Sequence, residues 1–138
     1  MLNLTFLTGW SPQLLSVLRI MTGLLFLHHG TAKLLGFPTV EYFAELDTMT
    51  AVSGVFELVG GLLIVLGLFT RPVAFILSGM MAVAYFLVHA GQSFFPLVNQ
   101  GELAILLCFV FLYLAAAGPG PWSVDATIQS SQRATVRG

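Results

Sequence analysis

Ionisable side chains placed inside apolar runs are the first clue to chemistry here. The stretch RIMTGLLFLHHGTAK sets Arg19, His28, His29 and Lys33 within one apolar segment, and Glu57 stands alone inside the next. His89 closes a third segment and Glu102 opens a fourth. A charge in hydrocarbon costs at least ~2.5–3.5 kcal/mol on insertion scales, so each such residue is read first as part of a site. Imidazole, ammonium and carboxylate groups at one depth can donate hydrogen bonds to a ligand and pass protons. The same residues admit a structural reading. Internal ion pairs can fix helix register, Lys33 can snorkel to the interface, and His89 and Glu102 can be ordinary interfacial residues.

The elements that must position these groups are membrane helices. The chain has 138 residues, 57% apolar and 8% charged, against roughly 25% charged in an ordinary soluble chain. Mean hydropathy is +0.94. A soluble fold could not cover its surface with so few charges, whereas a lipid-facing surface needs none. Apolar segments at about 13–35, 51–69, 73–90 and 98–117 predict an all-α bundle of four transmembrane helices within residues 1–125, each near the ~20 residues a span requires. The fourth reaches that length only if it begins near Leu97 rather than Gly101. Residues 126–138 read as a polar, frayed C-terminal tail.

The breaks carry the expected chemistry. Gly36 and Pro38 end the first helix, and Thr70, Arg71 and Pro72 read as a short turn with proline placed for a helix start. Residues 93–96 separate the third and fourth helices, and Gly118, Pro119, Gly120 and Pro121 stop the fourth. Residues 1–10 lack a basic leader and a cleavage site, so the first segment is expected to remain as an anchor. Arg71, Arg133 and Arg137 oppose Glu41, Glu45 and Asp47, which puts both termini in the cytoplasm of a multi-pass cell (inner) membrane protein. Trp10 and Trp122 would anchor the cytoplasmic interface. Residues 39–50 form an outer amphipathic loop, with Val40, Phe43 and Leu46 against the acids.

Counting depth at about 1.5 Å per residue splits the polar groups. Arg19 lies roughly 9 Å inside the inner end of helix one, while His29, Lys33, Glu57, His89 and Glu102 share a level in the outer half. At ~100° per residue, Lys33 lies within about 40° of His29, and His28 points away from Arg19. His29 is therefore favoured over His28 as the inward histidine. Gly54, Gly60, Gly61 and Gly67 share the face of Glu57 and would let a neighbouring helix approach closely.

Several chemistries are not indicated. Net charge is −1, without the basic footprint that nucleic acid requires. Cys108 is the one cysteine and no CxxC exists, which argues against a thiol–disulfide relay. His29, His89, Glu57 and Glu102 are permissible metal ligands but lack Glu-x-x-His spacing, so no metal site is read. Haem ligation by His29 and His89 has no supporting motif. No nucleophile elbow, P-loop or dinucleotide fingerprint is present, and Thr22, Ser78 and Tyr113 read as local hydrogen-bonding residues.

In order along the chain, these residues resemble the DoxX family of small four-helix membrane proteins. The matches are Arg19, the H-G-x-x-K run (His29, Gly30, Lys33) and the exit at Gly36 and Pro38. Glu57, Gly60, Gly61 and Gly67 follow, then Thr70, Arg71 and Pro72. The chain closes on G-P-G-x-W-S-x-D, from Gly118 to Asp125. The resemblance implies a redox-linked role, since the family is named for a subunit of a thiosulfate:quinone oxidoreductase. Related members occur in complexes that handle oxidative and thiol stress. Distant relatives assist the assembly of other membrane proteins. The closing motif also suggests a partner for Arg19: Asp125 is expected to fold back and pair with it, both in a structural role.

Three readings follow. The first is a subunit of a membrane oxidoreductase complex. In it a quinone headgroup takes hydrogen bonds from His29 and Lys33, with His89 and Glu102 beside it and Glu57 moving protons. The second is a non-catalytic partner or assembly factor whose glycine faces serve helix contacts. The third is a small proton-coupled transporter using Glu57 and His29. The expected partners are the lipid bilayer and either further copies of the chain or other redox membrane proteins.

Overall fold

A computed structural model describes residues 5–43 and 47–137. Residues 1–4 of the leader reading, Glu45 and Leu46 of the predicted loop, and Gly138 lie outside the described residues, as does the side chain of Arg137. All regular structure among the described residues is helical. The chain divides into two compact units, Met1–Thr70 with Pro119–Gly138, and Arg71–Gly118.

In the first unit, a 3-10 segment Thr5–Trp10 leads into α1, Ser11–Leu35, which has proline in its first turn. Gly36 closes α1 in the left-handed conformation, φ 64°. Asp47 caps the start of α2, Thr48–Leu66, by accepting from the Thr50 amide at 2.7 Å. Hydrogen bonding to Thr50 holds the Asp47 carboxyl below the usual carboxylate range. α1 and α2 run antiparallel at close range because glycines remove the side chains between them. A Cβ on Gly61 would lie 2.6 Å from the Leu27 amide nitrogen, and one on Gly23 would lie 2.8 Å from that of Val65. Gly30 abuts the backbone of Glu57 and Leu58, and Gly54 abuts Lys33 and Leu34. Each pair, 23/30 and 54/61, repeats at seven residues, two helical turns on one face. The outer faces stay apolar and exposed, as at Leu14, Met21, Leu25, Val52, Val59 and Leu62, which suits lipid contact.

α2 ends earlier than its hydropathy suggests. Gly67 takes φ 68° as the C-cap, and the next helix begins at Thr70. The connecting turn is therefore 67–69, and Thr70, Arg71 and Pro72 are the first turn of the helix rather than the linker. The segment expected to fray is also helical: α5, Val124–Arg137. Ser123 caps it, with Oγ accepting from the Ala126 amide at 3.1 Å, a standard N-cap bond that the sequence reading overlooked.

The second unit is a helical hairpin. α3, Thr70–His89, enters it at Arg71, and α4, Glu102–Ala117, returns. Arg71 donates to the carbonyls of Ala115 (2.9 Å) and Ala116 (2.5 Å) at the C-terminus of α4. Ser78 Oγ donates to the Cys108 carbonyl at 2.8 Å. A separate helical turn, Pro96–Asn99, precedes α4. Gln100 at φ 58° and Gly101 break it from α4. α1, α2 and α3 are long and apolar enough to cross a membrane, and α4 is a shorter apolar helix.

Candidate functional site

Lys33 and Glu57 form the one ion pair among the described residues. Lys33 sits in the last turn of α1, and Gly54 brings α2 against it. Its Nζ donates to Glu57 Oε1 at 2.7 Å and to Ser53 Oγ at 2.9 Å. Both side chains are largely buried, at 13% and 7% exposure. The ammonium also lies 5.5 Å from the centre of the Phe43 ring, a cation–π distance. Ser53 Oγ in turn donates to the Thr50 carbonyl. Charge-assisted bonds of this length are the strong ones. Yet the pair is incomplete: Glu57 Oε2 is buried without a hydrogen-bond partner among the described residues. Glu57 also lies in a π-helical turn, Phe56–Gly60, a local widening frequent at functional sites.

Sequence reasoning found Lys33 and Glu57 but not Ser53 or Phe43. Ser53 lies one turn before Glu57, on the same helix face, and that spacing was the available signal. His29 is half-buried one turn before Lys33, whereas His28 is exposed. Their rings meet edge-on at 6.3 Å. The exposure agrees with the azimuthal choice of His29.

The other end of α1 is built differently. Arg19 is wholly buried, and its guanidinium is held by backbone carbonyls. Nε donates to Pro119 at 2.7 Å, and Nη1 donates to Ile64 at 2.5 Å and Val65 at 2.6 Å. Nη2 donates to Trp122. The expected ion pair with Asp125 is corrected here: Asp125 Oδ1 and Oδ2 instead accept from the amides of Phe69 and Thr70, each at 2.9 Å. The reason is the helix ends. Ile64 and Val65 supply terminal carbonyls of α2, which favour a cation, while Phe69 and Thr70 supply amides at the start of α3, which favour an anion. Arg19 thus binds the C-terminal turn, Asp125 ties the segment after that turn to Phe69 and Thr70, and Ser16 Oγ adds to the turn by accepting from the Trp122 amide at 3.2 Å.

His89 and Glu102 belong to the Arg71–Gly118 unit. His89 lies in a second π-helical turn, Tyr85–His89, and its Nδ1 bonds to the Asn99 carbonyl at 2.9 Å. Asn99 is 1% exposed. Its Nδ2 donates to the Ser93 carbonyl at 2.8 Å and to Tyr85 Oη at 3.4 Å, and its Oδ1 accepts from the Gly101 amide at 2.8 Å. Glu102 is exposed in the first turn of α4. Of the five residues grouped by depth, the structure thus joins Lys33 to Glu57 directly and ties His89 into its own hairpin. Tyr85 and Asn99 escaped the sequence reading, although a polar side chain at each end of one loop was visible.

The match to a known family falls on the first three helices. The DoxX family profile matches residues 14–90. A Haemophilus influenzae protein named only as uncharacterized is 47% identical over 125 residues, covering 86% of this chain and 93% of its own. The inner membrane protein YphA of Escherichia coli is 33% identical over 125 residues, covering 83% and 89%. A Bacillus subtilis protein named "Putative oxidoreductase CatD" is 30% identical over 106 residues, covering 74% and 77%. No solved structure matches the chain.

Proposed function

The chain belongs to the DoxX family of membrane proteins, and from that premise we propose that it is a redox-linked, quinone-associated membrane subunit working through Lys33 and Glu57. The observation that carries this reading is the buried ion pair with one carboxylate oxygen left unpartnered. A purely structural pair would be expected to satisfy both oxygens, since a buried polar atom without a partner costs about 1–3 kcal/mol. The oxidoreductase name of the Bacillus subtilis relative points the same way.

The residues present fit a quinone headgroup. Lys33 has three donors, of which Ser53 and Glu57 take two, and His29 stands one turn away on the same face. These two residues would orient a ring carbonyl by donating to it. Glu57 Oε2 would take up and release the proton that accompanies each electron supplied by a partner subunit. The quinone supplies the electron-accepting ring when bound. Opposite charges on the two ends of the chain's loops, with Arg71 and Arg133 against Glu41 and Asp47, support a topology with both termini cytoplasmic.

The partner or assembly-factor reading loses its main support, because Gly23, Gly30, Gly54 and Gly61 are consumed between α1 and α2. The deciding experiment measures quinone reduction in membranes of a deletion strain complemented with wild type or Glu57→Gln. Deletion should lower the rate and wild type restore it. The variant, expressed to the same level, should leave the rate at least ~100-fold below wild type, as loss of a general acid–base group does. Full restoration by Glu57→Gln would remove the proton-handling role.

A further inference from the structure

We propose that the loop end of the Arg71–Gly118 hairpin is inserted in the bilayer rather than held in water. Phe94, Phe95, Leu97 and Val98 enter the acyl–headgroup boundary as the end of a broken fourth span, and the buried Asn99 side chain makes that insertion possible. The partner is lipid, and the inference stands on the hairpin alone.

The register of the two helices sets the depth. Arg71 bonds to the Ala115 and Ala116 carbonyls, so the start of α3 is level with the end of α4. Ser78, one stretch further along α3, meets Cys108. Tyr85 then meets Gly101, where a Cβ would lie 2.5 Å from the tyrosine ring. His89, in the last turn of α3, meets Asn99 at 2.9 Å. The turn Pro96–Asn99 therefore lies beside the last turn of α3 and not beyond it. α3 has 20 residues, a rise of ~30 Å, which is the thickness of the hydrocarbon core. α4 has 16 residues and rises only ~24 Å. The turn occupies the missing ~6 Å.

Backbone at that depth must find its hydrogen bonds within the protein. The Asn99 side chain supplies them: Nδ2 donates to the Ser93 carbonyl, and Oδ1 accepts from the Gly101 amide. The Asn99 carbonyl accepts from His89 Nδ1. The Phe95 carbonyl accepts from the Val98 and Asn99 amides, each at 3.0 Å, and the Phe95 amide donates to Ser93 Oγ at 3.2 Å. One asparagine thus closes the break that Gln100 makes between the turn and α4. In water the solvent would satisfy the same groups without a buried side chain.

The side chains left outside are those that lipid accepts. Phe94, Phe95, Leu97 and Val98 are strongly exposed, as are Phe86 and Leu87 in the last turn of α3 beside them. Residues 72–101 contain no Asp, Glu, Lys or Arg. Glu102 marks the water side. Side chains in a helix tilt toward its N-terminus, so in the first turn of α4 this carboxylate is directed toward the loop end.

The test places a nitroxide on Phe94→Cys and, separately, on Leu97→Cys, in the full chain carrying Cys108→Ser and held in lipid nanodiscs. It reads collisions with oxygen, which concentrates in lipid, and with a water-soluble nickel chelate. Met21→Cys on the exposed apolar face of α1 is the lipid reference, and Gln132→Cys on α5 is the water reference. Both loop labels should show the raised oxygen and lowered chelate collision rates of the lipid reference. Chelate rates equal to the water reference overturn the insertion. Labels shielded from both reagents overturn lipid as the occupant and assign the face to a second copy or another protein. Asn99→Leu strands the Ser93 carbonyl and the Gly101 amide, so it should raise the chelate collision rate at the Phe94→Cys label. An unchanged rate overturns the role given to Asn99. Hydrogen exchange in the unsubstituted chain tests the same role without a variant that could fail to fold: the Gly101 amide should be protected, and free exchange there overturns it.

Discussion

The two ends of α1 each bury a cation and solve the problem in opposite ways. Arg19 is surrounded by the carbonyls of Pro119, Ile64, Val65 and Trp122. Lys33 meets a carboxylate that keeps an unpartnered oxygen. The guanidinium has nothing titratable in its bonding shell, and four of its five N–H groups are already held by backbone oxygens. An ammonium–carboxylate pair can exchange a proton and still has an open acceptor. The difference suggests that saturation, more than burial, separates a lock from a site. It also predicts that substitutions at the Arg19 end cost the fold, and at the Lys33 end cost activity.

The sharpest break of that contrast is Arg19→Ala. It strands several buried carbonyls, each worth about 1–3 kcal/mol when left unsatisfied, so the variant should lose roughly 3–5 kcal/mol. Thermal unfolding in nanodiscs reads this directly. Glu57→Gln should move the midpoint less, since the amide oxygen still accepts from Lys33 Nζ and Ser53 Oγ stays as its second acceptor, so that the charge rather than the bonds is lost. If the two variants unfold alike, saturation does not distinguish the ends.

Next in size is the glycine contact that brings Glu57 to α1. Gly30→Ala would push a methyl group into the backbone of Glu57 and Leu58, and overpacking of this kind costs about 1–3 kcal/mol. Gly79 has nothing within 4 Å of its Cβ position. There Gly79→Ala should be neutral or stabilise by up to ~1 kcal/mol through helix propensity. Equal effects at both positions would mean that close approach is not what holds the pair together.

Much of this contrast was legible in the sequence, and the illegible parts share a cause. Apolar runs, the charges inside them, and the glycine face of α2 are residue-type signals, so the helices and the shared level of Lys33 and Glu57 could be read from composition and period, though not which acid Lys33 meets. Arg19's partners are backbone carbonyls, which every residue carries, so no side chain advertised them and a carboxylate was expected instead. The Asn99 carbonyl that faces His89 is hidden for the same reason. The two π-helical turns depend on one inserted backbone position and leave no periodic trace. Helix ends were missed where a cap decides them: Gly67 stops α2 by its φ, although the hydrophobic run continues to Phe69.

Asp125 offers a smaller test. Its carboxylate bridges the Phe69 and Thr70 amides, so Asp125→Ala should cost about 1 kcal/mol, in the range of a lost helix cap. A double-mutant cycle with Arg19→Ala should show that the two residues contribute through the same C-terminal turn, not through a direct ion pair. Coupling typical of contacting buried charges, several kcal/mol, would restore the pairing that the geometry replaces.

The smallest effect lies at the exposed start of α2, beyond the Lys33 end of α1. Hydrogen bonding to Thr50 keeps the Asp47 carboxyl below its ordinary range. A group whose folded value is depressed stabilises fully above the unfolded value, and that contribution fades as pH falls through the folded one. Protection of the Thr50 and Ala51 amides against hydrogen exchange should therefore hold at neutral pH and decline below the usual aspartate value of about 3.9. Asp47→Asn should keep the cap, because asparagine caps about as well as aspartate, while abolishing the pH dependence. An asparagine variant that loses protection in acid as wild type does would assign the decline to some group other than Asp47, and would detach the start of α2 from the cap that places Ser53 and Glu57 about two and three turns further along.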